Sequence, residues 1–165
     1  ELFSHIQQPD RLLVNQNEWG EDPWFVSDPA MLPVEPANAI GAATADLNGD
    51  GIGDLVVLNL DGPPTILLGK CTDASRLVVR LDDRTTLNRF GIGARVDVDI
   101  GGRIQSQVIG SDGQGSYSFS EPVLFFGTGG ATEVDSITVR WPGPASPVSE
   151  LTRTCANCKL TIRRE

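Results

Sequence analysis

Apolar residues recur in short clusters separated by turn-forming residues, with no sustained helical spacing. Residues 94–100 alternate strictly, Ala-Arg-Val-Asp-Val-Asp-Ile, as a strand with one buried face does. Residues 77–81, 104–109, 123–126, 136–141 and 160–163 also read as strands. Gly101-Gly102 between two of these predicts a tight hairpin. Further upstream, residues 40–45, 55–60 and 65–68 form a second group, divided by a polar Asp/Asn/Gly loop and by Asp61-Gly62-Pro63-Pro64. Residues 1–38 are cut by Pro9, Pro23, Pro29, Pro33 and Pro36, leaving short strands at 11–15 and 24–26. Strands spaced about 8–15 residues apart predict an all-β chain, with a sandwich or barrel in its second half. A boundary near residues 69–75 divides it into units of 1–70 and 71–165.

Composition sharpens this picture. A chain of 165 residues holding 18 glycines and 11 prolines suits many short strands and disfavours long helices. The formal net charge of -9 argues against nucleic acid and anionic membrane as partners. No apolar run reaches the ~20 residues of a membrane helix. The sequence opens at Glu1 and not at Met, which reads as a removed leader or a piece of a longer protein. His5 is the single histidine and reads as solvent-facing, so triads and zinc sites built on histidine are disfavoured.

The strongest chemical signal is Asp46-Leu47-Asn48-Gly49-Asp50-Gly51-Ile52-Gly53-Asp54. Oxygen-bearing side chains stand at loop positions 1, 3, 5 and 9, with glycine at position 6, where the backbone must turn sharply. Such a loop suits Ca2+, a hard cation that takes six to eight oxygens at about 2.3–2.6 Å. The expected ligands are the side chains of Asp46, Asn48 and Asp50, the Ile52 carbonyl, and Asp54 directly or through water. It is not an EF-hand, since position 12 is Val57 and the flanks read as strands. With a Kd near 0.1 mM and about 1 mM calcium, binding would add about 1.4 kcal/mol.

Residues 45–57 resemble an FG-GAP/VCBS repeat, the calcium-loop blade of integrin-like β-propellers, and residues 10–15 resemble the strand that opens such a blade. Downstream, Asn88-Arg89-Phe90-Gly91-Ile92-Gly93-Ala94-Arg95-Val96, Gly115-Ser116-Tyr117-Ser118, Phe126-Gly127-Thr128-Gly129 and Val139-Arg140-Trp141-Pro142-Gly143 resemble the ASPIC/UnbV domain of the cartilage acidic protein family. The resemblance implies an FG-GAP-like β-propeller blade unit followed by a β-sandwich or barrel-like ASPIC/UnbV domain. It also implies a secreted, calcium-binding, non-enzymatic module. Two departures stand out: Phe125 and Thr128 replace residues usual in that family, and one calcium repeat is far short of the four to eight blades of a propeller.

Cys71, Cys155 and Cys158 make an odd count. In an oxidising compartment Cys71 is expected to pair with Cys155 or Cys158, tying the first strand of the second unit to its last; a Cys155–Cys158 bridge is the alternative. The 88–93 stretch reads as a turn feeding the next strand, with Arg89 and Arg95 paired to acidic neighbours. Residues 111–116 offer a second set of oxygens, while Glu121, Glu133 and Asp135 read as solvated. Trp19, Trp24 and Trp141 read as core or interface aromatics, with sugar stacking by one of them as the carbohydrate-binding option.

These readings converge on a secreted or cell-surface module acting in adhesion or assembly, with a protein partner or self-association. A more specific alternative is an extracellular homopolymer joined by strand donation and calcium. A third, a glycan-active enzyme, would need two carboxyl groups about 5–10 Å apart in a pocket.

Overall fold

The computed structural model describes residues 13–16, 24–27, 38–70, 75–110 and 118–165. Among them the chain forms strands and no helix. Strands β1 (Leu13–Asn15) and β2 (Phe25–Ser27) pair with each other as an antiparallel ribbon. Strands β3 (Ala39–Ala45), β4 (Asp54–Asn59) and β5 (Thr65–Leu67) form an antiparallel sheet in that order. The edge of β3 is protected, because the N–H groups of Ala42 and Thr44 donate to the hydroxyls of Ser118 and Ser120 at 3.0 Å each.

The second half contributes β6 (Ser75–Asp83), β7 (Arg95–Ile100), β8 (Arg103–Val108), β9 (Val123–Gly129), β10 (Glu133–Arg140), β11 (Val148–Cys155) and β12 (Cys158–Arg164). They build two sheets, ordered β11-β10-β7-β8 and β12-β6-β9. Alternate residues carry the core: Leu77, Val79 and Leu81 on β6, Val96 and Val98 on β7, Leu124 and Phe126 on β9, and Ile137 and Val139 on β10 share one buried cluster with Trp141. The two sheets therefore pack face to face and do not close into a barrel.

Strand β6 is buried on both faces, which explains its unbroken run Leu77-Val78-Val79. Val78 faces away from the core and sits in a cross-strand row with Lys159 of β12 and Phe125 of β9. The loop 46–54 lies over that row: a Cβ at Gly51 would stand 3.8 Å from Val78, and one at Gly53 would stand 3.6 Å from Phe125.

Several expectations are met locally. The Gly101-Gly102 hairpin joins β7 to β8 with φ of 61° and 78°, the positive pair that a two-residue hairpin needs. Arg89 pairs with Asp82 at 2.8 Å, and Arg95 with Asp97 at 2.7 Å. Others change. Strand β11 is an addition to the sequence reading; as an edge strand with Val148 and Leu151 its only large apolar residues, it offers little pattern. Trp141 is core, whereas Trp24 is 66 % exposed. Trp19, His5 and residues 111–116 lie outside the described residues.

The disulfide also needs correction. Cys155 bonds Cys158, so neither is joined to Cys71, which lies outside the described residues. The first and last strands of the second half are tied instead by a parallel ladder running from Leu77↔Cys158 to Asp83↔Arg164.

Candidate metal centre

The loop 46–54 curls because its polar side chains bond its own backbone and because Gly49 and Gly51 take left-handed conformations. Asn48 Oδ1 accepts from the Asp50 N–H at 3.0 Å, and Asp50 Oδ1 from the Ile52 N–H at 2.8 Å. The N–H of Gly51, whose φ is 87°, donates to Asp46 Oδ2 at 3.0 Å. Asn48 Nδ2 donates to Asp50 Oδ2 at 2.9 Å. Asp54 begins β4 at 0 % exposure, and its two oxygens accept the N–H groups of Leu47 at 2.7 Å and Gly69 at 2.8 Å. In this conformation it braces the loop.

Three aspartates in nine residues demand positive charge, and the second half supplies it. Lys159 Nζ lies 2.8 Å from Asp46 Oδ2 and 2.7 Å from the Gly49 carbonyl. The Arg76 guanidinium donates to the Asp50 carbonyl at 2.6 Å. The Asp46 side chain is only 4 % exposed, and its Oδ1 is buried without a hydrogen-bond partner. Burial opposes ionisation of Asp46, but hydrogen bonds from Lys159 and the Gly51 N–H, with the nearby ammonium charge, hold its carboxyl below the usual carboxylate range. An ionised carboxylate with one buried oxygen unengaged has room for a further donor or cation on that oxygen.

The expected ligands are thus brought onto one loop but do not converge as a finished cage. Among the described residues, no three His, Cys, Asp or Glu side chains form a ready metal-binding group. Asp46 presents a free oxygen, Asn48 and Asp50 are turned toward each other, and Asp54 is committed to backbone donors. The oxygen chemistry fits calcium, and filling would require Asn48 and Asp50 to reorient.

Sequence reasoning missed Lys159, Arg76 and Glu121. Glu121, read as solvated, pairs with Arg80 at 2.6 Å and accepts the Asp46 N–H at 3.4 Å. Asp135, also read as solvated, accepts the Gly101 N–H at 2.6 Å. No local signal marks these partners, because Lys159 is 113 residues from Asp46. The Cys155–Cys158 turn immediately precedes Lys159 and is anchored by Thr128 Oγ1, which donates to the Ala156 carbonyl at 2.7 Å.

A cleft of about 570 Å³ is lined by Arg80, Asp82, Arg89, Phe90, Glu121 and Thr161 among others. It holds two carboxylates, but Glu121 is matched by Arg80 and Asp82 by Arg84 and Arg89. Hydrogen bonds from Arg89 and Arg84 push the Asp82 carboxyl down, the opposite of what a general acid of glycoside hydrolysis requires.

Residues 84–165 match the family profile described as ASPIC and UnbV. The matched segment starts just beyond β6 and contains β7 to β12, so this part of the all-β chain is similar to an ASPIC/UnbV domain. No curated protein matches the chain.

Proposed function

We propose that the chain is a secreted, non-enzymatic calcium-binding β module that serves extracellular adhesion or assembly. In this reading β3, β4 and β5 with their loop are one FG-GAP/VCBS-like propeller blade set against the ASPIC/UnbV domain, and calcium orders the loop between them. The observation that carries it is the buried, unpartnered Asp46 Oδ1 at position 1 of a loop whose Asp and Asn side chains curl it onto its own backbone. The acidic balance of the chain and its Cys155–Cys158 disulfide agree with an extracellular setting.

The test is thermal unfolding in about 1 mM calcium against chelator. For a weak extracellular site the expected rise in Tm is about 3–6 °C, and Asp46→Asn should abolish it. Identical melting with calcium and with chelator would overturn the reading.

A second reading, the homopolymer joined by strand donation, draws on the β1–β2 ribbon. Trp24, just before β2, and Phe25 on β2 are 66 % and 57 % exposed, and among the described residues the two strands pair only with each other. Light scattering of the chain with and without residues 1–27 separates the readings: particles that vanish on deletion favour the polymer, and particles of unchanged size exclude strand donation from this ribbon.

A further inference from the structure

Lys159 sets an ammonium group against the curled, acid-lined loop 46–54. Lys159 Nζ spends two of its three donors on the loop, one on the position-1 carboxylate and one on the Gly49 carbonyl. Its stem runs along the loop backbone closely enough that a Cβ at Gly51 would stand 3.1 Å from its Cε. Its backbone is fixed by two devices, the ladder that sets Lys159 opposite Val78 and the disulfide turn one residue upstream. The side chain nevertheless remains 48 % exposed, so water can receive the ammonium if it leaves.

We infer that Lys159 is the resident cation of loop 46–54 and competes with calcium for its Asp46 end, so that β12 sets the loop's calcium affinity. The inference rests on the calcium reading above and concerns how that site is regulated. Two positive charges cannot share one carboxylate oxygen site without mutual repulsion, which the burial of Asp46 strengthens and the exposure of Lys159 partly screens. The lysine-held loop is docked on the β12-β6-β9 sheet by Lys159 and Arg76; entry of calcium frees Lys159 and leaves the Arg76 contact in place. Loading of the ion and the grip of the two halves on each other are thereby opposed, a coupling that acts equally in both directions.

The sign of one substitution separates this from a purely structural clamp. A clamp orders the loop, so removing it leaves calcium affinity unchanged or weaker. A competitor does the reverse. Calcium is titrated calorimetrically into the native chain, Lys159→Gln and Lys159→Arg, with far-UV circular dichroism as the check on folding. Lys159→Gln should bind at least about tenfold more tightly than the native chain, and Lys159→Arg, which keeps the charge, should stay close to native. Equal or weaker binding by Lys159→Gln overturns the competition while leaving the calcium site intact. If neither the native chain nor Lys159→Gln binds, the calcium reading itself fails and the inference falls with it. A measurement on the native chain covers the case in which the variants do not fold: the Lys159 ε-methylene NMR signals should shift as calcium saturates the loop, and signals that stay in place at saturation overturn the displacement.

Discussion

At the scale of single residues, the decisive feature is how charge is balanced where it is buried. Asp83 shows the principle away from the candidate centre. It is 1 % exposed, yet its carboxylate accepts the N–H and hydroxyl of Thr85, the hydroxyl of Thr86 and a guanidinium N–H of Arg164. Burial opposes its charge, but these donors together hold its carboxyl below the ordinary value. A folded-state value below the unfolded ~3.9 means stability that is complete above that value and lost as pH falls through the folded one. Urea midpoints should therefore stay level above about pH 5 and drop below about pH 4, and Asp83→Asn should make the drop shallower. Backbone conformation matters at Gly51, whose φ of 87° is one that a residue with a Cβ adopts only under strain. Gly51→Ala should cost about 1–2 kcal/mol in urea unfolding, from the left-handed backbone more than from contact with the movable ends of Lys159 and Arg76.

At the scale of elements, β6 organises both halves of the molecule. Leu77, Val79 and Leu81 fill the sandwich core, while Arg76 and Val78 face the first half under the loop and Arg80 pairs with Glu121, whose carboxylate also accepts the Asp46 N–H. Its parallel pairing with β12 brings Lys159 beside Val78, which is how the last strand of the chain reaches a loop more than a hundred residues earlier. The disulfide is a local device by comparison, closing the turn between β11 and β12. Peptide mapping under non-reducing conditions should return a Cys155–Cys158 linked peptide and no cross-link from Cys71 to either. A Cys71 cross-link would contradict the turn geometry. Strands with a buried face and regular alternation, such as β7, were legible from sequence, whereas β11 was not, because an edge strand needs few apolar residues and shows little period. Its ladder is also interrupted opposite Asp135, where Arg153 takes a φ of 50°.

At the scale of the whole molecule, burial is unequally shared. The apolar cluster is drawn entirely from Leu77 to Ile162, whereas among the described residues before β6 only Gly51, Asp54 and Val57 are buried. A chain of residues 71–165 should accordingly fold with a cooperative urea transition, and a chain of residues 1–70 should not. Cooperative unfolding of the shorter N-terminal piece would show that its sheet is stable without the sandwich. The first half is held to the second by polar contacts: Ser118 and Ser120 on β3, Glu121 below Asp46, and Lys159 and Arg76 on the loop. Such contacts contribute modestly to stability but define orientation closely.

The sequence by itself determined what depends on near neighbours. Alternation set most of the strands, Gly101-Gly102 set a hairpin, and the Asp/Asn/Gly spacing of 46–54 set a loop whose side chains bond its own backbone within a few residues. Only the tertiary structure decided which charges face that loop. The lysine and arginine that answer its aspartates arrive through strand pairing across long stretches of chain, and nothing in the spacing of either segment encodes the other. The same holds for Asp54: its place at loop position 9 marked it as an oxygen donor to a cation, while burial at the start of β4 turned it to the N–H groups of Leu47 and Gly69. A buried carboxylate takes whichever donors the fold brings within reach, and that is settled by packing.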